Sequence, residues 1–225
     1  MKRFISIFIL INILLVFTAL PLLAYEEETS ENDETIALIE SLKASSESTN
    51  SPEVHSAHII AIDRNTERIL YEKDAFKKTP MASTTKILTS IIAIESCKLS
   101  DTVHISGKAA HTNGSTLGIT TNSDMQMEDL LYGLMLRSGN DCAVAIAEHI
   151  GGSLEGFSSI MNNKAKEIGL INSHFVTPHG LDETAHYTTA YELAMLTNYA
   201  LKNETFRKIV STKEIVICNR NKTYP

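Results

Sequence analysis

Ala82-Ser83-Thr84-Thr85-Lys86 sets a serine and a lysine three positions apart, just ahead of Ile87, Leu88, Ile91, Ile92 and Ile94, which repeat at helical spacing. On a helix, residues three apart share a face, so an amine stands beside a hydroxyl. A serine hydroxyl is a weak nucleophile until a neighbouring base takes its proton. A lysine serves as that base when burial or nearby positive charge keeps it neutral part of the time. A helix starting at Ser83 adds N–H donors and a dipole that favour negative charge at the hydroxyl and help keep Lys86 unprotonated. The same spacing arises by chance about once in a chain of this length and ordinary composition. At this point a Ser-Lys acyl-transfer centre therefore competes with a capping serine on an exposed helix start.

A lysine base also needs groups for proton traffic and orientation, and Ser138-Gly139-Asn140 supplies them. The hydroxyl can relay a proton between Lys86 and a leaving amine; the carboxamide can hold a substrate amide and hydrogen-bond the lysine. Ser30-Glu31-Asn32 and Ser48-Thr49-Asn50 have the same form but lie in a polar stretch, whereas Ser138-Gly139-Asn140 interrupts two apolar helical patterns. Asp141 reads as a first-turn acid favoured by the helix dipole.

Around these motifs the chain divides into three parts. Lys2 and Arg3 precede an uncharged, almost wholly apolar run from Phe4 to Ala24, the order of a secretory signal peptide; the run is also long enough to stay as a membrane anchor. Either way the bulk of the protein is expected outside the cytoplasm. Residues 25–55 form an acidic linker, with Glu26, Glu27, Glu28, Glu31, Asp33, Glu34, Glu40, Glu47 and Glu53 against Lys43 alone. That stretch accounts for most of the net charge of −7, which speaks against a nucleic-acid partner. Residues 56–225 are the expected folded domain. Its pattern is a hairpin (Ala57–Asp63, a turn at Arg64-Asn65-Thr66, Arg68–Glu72), a short extended stretch at Asp101–Ser106, and helices over Ser83–Glu95, Met127–Leu136, Asp141–Ile150, Leu154–Ile168, Thr189–Leu201 and Glu204–Val210. A strand starts up at Glu214–Cys218. Strands, then a block of helices, then a strand indicate α+β. Cys97, Cys142 and Cys218 leave at least one unpaired thiol, and Cys97 and Cys142 fall in apolar helical patterns as buried free cysteines. His174, His179 and His186 are too irregularly spaced for a metal motif, and Met125, Met127 and Met135 read as core or surface filler.

Ala82-Ser83-Thr84-Thr85-Lys86, Leu136-Arg137-Ser138-Gly139-Asn140-Asp141 and Thr177-Pro178-His179-Gly180-Leu181-Asp182, in this order, resemble the D-alanyl-D-alanine carboxypeptidases, the low-molecular-mass penicillin-binding proteins. The hairpin before Ser83 and Tyr187-Thr188-Thr189-Ala190-Tyr191-Glu192-Leu193-Ala194 resemble that family too, so the likeness covers roughly residues 55–225. It implies a penicillin-binding, serine β-lactamase-like fold with a helical cluster against an antiparallel sheet. It implies Ser83 as acyl-ester nucleophile, Lys86 as general base, Ser138 as proton relay to the departing D-alanine and Asn140 as substrate-orienting residue. His179 is then a loop-forming residue. The implied substrate is a peptidoglycan stem peptide ending in D-Ala-D-Ala, with β-lactams acylating Ser83, and no metal or organic cofactor is needed.

One element departs from the family. Its Lys-Thr-Gly motif, whose lysine binds the substrate carboxylate, has no match; Lys222-Thr223-Tyr224 is near in composition but lies where the family has a surface segment. On that ground the domain is expected to be incomplete at its C-terminus, with its sheet unfinished. Two rival readings follow: a serine β-lactamase, for which Glu155, Glu167, Glu183 and Glu192 all lack the expected Glu-x-x-Asn form, and a catalytically inactive penicillin-binding remnant.

Overall fold

Asp63 turns the first hairpin by accepting three hydrogen bonds on one carboxylate oxygen, from the N–H groups of Asn65 and Thr66 and from the Thr66 hydroxyl. The strands it joins, β1 (Ile59–Ile62) and β2 (Ile69–Lys73), pair antiparallel with Ile59 opposite Lys73. The structure is a computed structural model that describes residues 54–181, 183–219 and 222–224. The expected leader over 1–24, and all of the expected linker except Val54 and His55, lie outside the described residues. From Ser56 onward the described residues form one compact unit.

Helix α1 (Lys86–Ser96) runs through the middle of this unit and is entered by a tight 3-10 turn over Ala82–Thr85. Leu88, Ile91 and Ile92 pack with Phe157, Met161, Leu196 and Phe206. Ala93 belongs to a second cluster with Val103, Leu130, Leu131 and Ile146. Burying each such leucine or isoleucine is worth roughly 1.5–3 kcal/mol, so α1 is pinned from two sides.

Strand β3 (Thr102–His104) pairs antiparallel with β4 (Asp124–Gln126), and the one-turn α2 (Gly107–Ala110) lies between them in the chain. Helix α3 (Met127–Leu136) is followed after three residues by α4 (Asn140–Gly151), which stops at Gly152 with φ +69°. Three further helices are capped by side chains accepting from the first turn: α5 (Leu154–Glu167) by Ser153, α6 (Ala190–Ala200) by Thr189 and α7 (Glu204–Ser211) by Asn203. Strands β5 (Ile217–Asn219) and β6 (Lys222–Tyr224) form a last hairpin, so Lys222-Thr223-Tyr224 lies on a strand.

The expected helices all form, with ends shifted by at most a few residues, and the architecture is α+β. Among the described residues the strands make three separate two-stranded pairs and no single sheet. No helix among them is long and apolar enough to cross a membrane. Met125 and Met127 are core residues and Met135 is partly buried, as expected of filler. Cys142 is fully buried and Cys97 half-buried, both as free thiols.

Candidate active site

The chain reaches the 3-10 turn through Ala82 at φ +46°, and this kink lifts Ser83 to the surface while Lys86, three residues on, is only 2 % exposed. Lys86 Nζ lies 3.0 Å from Ser83 Oγ. Ser83 does not cap the helix as the sequence suggested. No side chain accepts at either N-cap, and the Thr84 hydroxyl donates back to the Met81 carbonyl. The Ser83 hydroxyl is thereby left to the lysine. The Thr84 and Lys86 N–H groups are already bonded to carbonyls within the turn, so the opening donors contribute less at the hydroxyl than a regular helix start would.

A segment 93 residues downstream completes the surroundings of Lys86. Lys86 Nζ donates to the His179 carbonyl at 2.9 Å, and the Thr89 hydroxyl, one turn along α1, donates to the Pro178 carbonyl at 2.7 Å. Gly180 lets the loop come this close: at φ +86°, a Cβ on it would stand 1.8 Å from the Ala82 carbonyl oxygen. The His179 ring accepts from the Leu181 N–H and is kept neutral, with a pKa lowered to about 4 by burial and by Lys86 and His186. Burial likewise lowers Lys86 to about 8, against the opposing pull of Cys142 and Asp141. The depressed lysine thus owes more to desolvation than to any positive neighbour or dipole.

His186, at 3 % exposure, is a site-supporting residue that spacing alone did not reveal. Its Nδ1 accepts from the Val176 N–H at 2.9 Å, which leaves Nε2 to carry the proton and donate to Thr85 Oγ1 at 2.8 Å; Thr85 in turn donates to the Ala82 carbonyl. This relay ties the serine turn to the strand-like segment flanking the Pro178-His179-Gly180 loop. His174 instead bonds the Ala185 carbonyl at the surface.

Ser138 lies in the neck between α3 and α4, and Asn140 is the first residue of α4. Ser138 sits at φ +53°, a left-handed conformation, and its hydroxyl makes no hydrogen bond to a described residue. Asn140 is 3 % exposed. Its carboxamide donates to the Asn113 carbonyl at 2.7 Å and does not hydrogen-bond Lys86, so the sequence-based expectation of that bond is not met. Its Oδ1 accepts from no described residue, leaving a buried acceptor open. Asp141 does more than meet the helix dipole. Its fully buried carboxylate accepts from the N–H groups of Leu117, Gly118, Ile119 and Cys142 at 2.8–3.2 Å, lashing the 113–119 loop over the start of α4. Asp141 and Cys142 are close enough to act on the Lys86 charge, so the openings of α1 and α4 share one neighbourhood.

The arrangement is an exposed hydroxyl, a buried amine with a near-neutral pKa, and an open carboxamide oxygen nearby. A family model described as D-alanyl-D-alanine carboxypeptidase matches residues 44–224. The D-alanyl-D-alanine carboxypeptidase DacF of Bacillus subtilis is 39 % identical over 160 residues, covering 69 % of this chain and 41 % of that protein. DacC of Escherichia coli, also a D-alanyl-D-alanine carboxypeptidase, is 32 % identical over 189 residues, covering 74 % of this chain and 47 % of the relative. The chain therefore spans less than half the length of these curated relatives. Among solved structures, the D-alanyl-D-alanine carboxypeptidase DacD of Francisella tularensis superposes with a TM-score of 0.70 at 34 % identity, covering 73 % of this chain and 41 % of that one. Penicillin binding protein 5 of Haemophilus influenzae gives 0.71 at 28 % identity, over 79 % and 54 %. The fold is thus the penicillin-binding, DD-transpeptidase type that the motifs implied.

Proposed function

This chain belongs to the D-alanyl-D-alanine carboxypeptidase family, and on that premise we propose that it is a serine-type D-Ala-D-Ala carboxypeptidase acting on peptidoglycan stem peptides and acylated by β-lactams. The observation that carries this reading is the exposed Ser83 Oγ held 3.0 Å from a buried Lys86 Nζ whose pKa is near 8. A neutral amine has two N–H groups and one lone pair. With one N–H committed to the His179 carbonyl, the lone pair is free for the Ser83 proton.

In the proposed cycle Ser83 Oγ attacks the carbonyl of the penultimate D-alanine and gives its proton to Lys86. The C–N bond then breaks. The terminal D-alanine leaves with a proton passed through the Ser138 hydroxyl, which its lack of a partner among the described residues leaves available. Asn140 Oδ1 accepts the substrate amide and orients it. Water, activated at the same lysine, cleaves the ester and frees the shortened peptide. The work is set at the extracytoplasmic face of the cell membrane or in the wall. Lys2, Arg3 and the apolar run to Ala24 support export, with membrane association if that run is retained. Residues 56–225 are assigned as the catalytic domain.

Labelling of the chain with fluorescent penicillin tests the proposal, with Ser83→Ala as control. Ser83-dependent labelling together with D-alanine release from a D-Ala-D-Ala peptide supports it. Rapid β-lactam turnover without D-alanine release means a β-lactamase, and absence of any Ser83-dependent label means an inactive member of the family.

A further inference from the structure

Cys97 and Asp101, from the one turn between α1 and β3, and His149, from the far end of α4, each bring a donor atom to the same place, all within 4.8 Å of one another. Cys97 follows the last residue of α1, Asp101 ends the turn before β3, and His149 is in the last turn of α4. We propose that these three side chains form a zinc site, with water in the fourth position. The donor set is one sulfur, one imidazole nitrogen and one carboxylate oxygen. Magnesium and calcium select oxygen-only ligands, whereas zinc accepts this mixture. Zinc bonds of about 2.0–2.3 Å set tetrahedral donors about 3.3–3.8 Å apart, so closing the site takes side-chain movements on the order of 1 Å.

The surroundings are built for it. One Asp101 oxygen accepts from the Lys98 N–H at 2.9 Å, which orients the carboxylate and leaves its other oxygen for the ion. The turn itself is anchored on α3, through Met127 N–H to the Asp101 carbonyl and Glu128 N–H to the Leu99 carbonyl, each at 2.9 Å. The Cys97 thiol is free, and His149 has no hydrogen-bond partner among the described residues. His149 is exposed, giving the ion a way in. Thiolate and carboxylate neutralise the dication, and binding releases the thiol proton to solvent. The eleven residues of α1 put the ion roughly 16 Å from Lys86, beyond reach of the reacting atoms. The site is a staple. It clips together the far ends of α1 and α4, whose opening residues are Lys86 and Asn140.

Cobalt(II) titration of the chelator-stripped, reduced full chain tests this. The expected result is one equivalent bound with a thiolate-to-cobalt charge-transfer band, and a higher melting temperature on adding zinc. Cys97→Ser, checked by circular dichroism to fold as the metal-free wild type does, loses the band. Cys218→Ser keeps it, and His149→Ala weakens cobalt binding by at least about tenfold. No stoichiometric cobalt binding, a band that survives Cys97→Ser, or binding with no gain in melting temperature each overturns the proposal.

Discussion

Replacing Lys86 with methionine separates what the buried lysine does for chemistry from what it costs the fold. In the unfolded chain its pKa is the ordinary 10.5, and in the folded chain about 8. Between those values the unfolded state binds the extra proton, so the stability of the wild type rises with pH. At 1.36 kcal/mol per unit, the window contributes about 3 kcal/mol. Below it Lys86 is charged in both states and the folded protein carries the full desolvation penalty; above it the penalty is gone. Methionine has similar length and no charge. It also leaves the His179 carbonyl and Ser83 hydroxyl without the amine, a loss of about 1–2 kcal/mol that does not vary with pH. Urea denaturation of both proteins at neutral pH and above about 10.5 isolates the lysine, because all other titrations cancel in the difference. The stability of Lys86→Met relative to wild type is expected to fall by about 3 kcal/mol across that range. Wild-type acylation by penicillin should climb about tenfold per pH unit and level off above about 8, while the variant does not acylate at any pH. A stability difference that does not change with pH, or acylation that is flat with pH, refutes the assignment of Lys86 as a desolvated base.

Gly180→Ala forces a Cβ into the Ala82 carbonyl at a backbone angle of φ +86°; the loop must withdraw, and we expect a stability loss on the order of 2 kcal/mol and at least a tenfold slower acylation, read by thermal melting and penicillin labelling. Asp141→Asn keeps one acceptor oxygen where four backbone N–H groups now converge on the carboxylate. The expected cost is on the order of 3 kcal/mol, with faster hydrogen exchange at Leu117, Gly118 and Ile119; amides that stay protected there contradict the anchoring role.

The helices were legible because each carries apolar residues at regular spacing over two turns or more, as α3 does from Met127 to Leu136. Strand β4 was not. Asp124–Gln126 is three residues long, one of them apolar, and exists as a strand through its pairing with Thr102–His104 some twenty residues earlier. The one-turn α2 is too short to show a period. Ser83 and Lys86 were legible as a pair since their contact spans three residues. The supports of that pair were hidden for the opposite reason. His186 meets Thr85 across 101 positions, and Asp141 holds backbone N–H groups 22–24 residues before it, which any residue type can provide. Spacing excluded a histidine-based metal motif, but a cysteine and an aspartate in one turn meet a histidine from another helix only through the fold, which leaves no pattern at a fixed spacing.

The His179 carbonyl reaches Lys86 from 93 residues away. A ribosome or an export channel delivers the chain from its N-terminal end, so Ser83 and Lys86 emerge well before the loop that aligns them. Until Gly180 has followed, the 3-10 turn and the start of α1 carry Ser83 and Lys86 without the clamp that fixes the amine. The alignment of the pair is therefore a late, non-local event in biogenesis, and a chain interrupted anywhere between the two segments holds Ser83 and Lys86 without the contact that fixes their geometry.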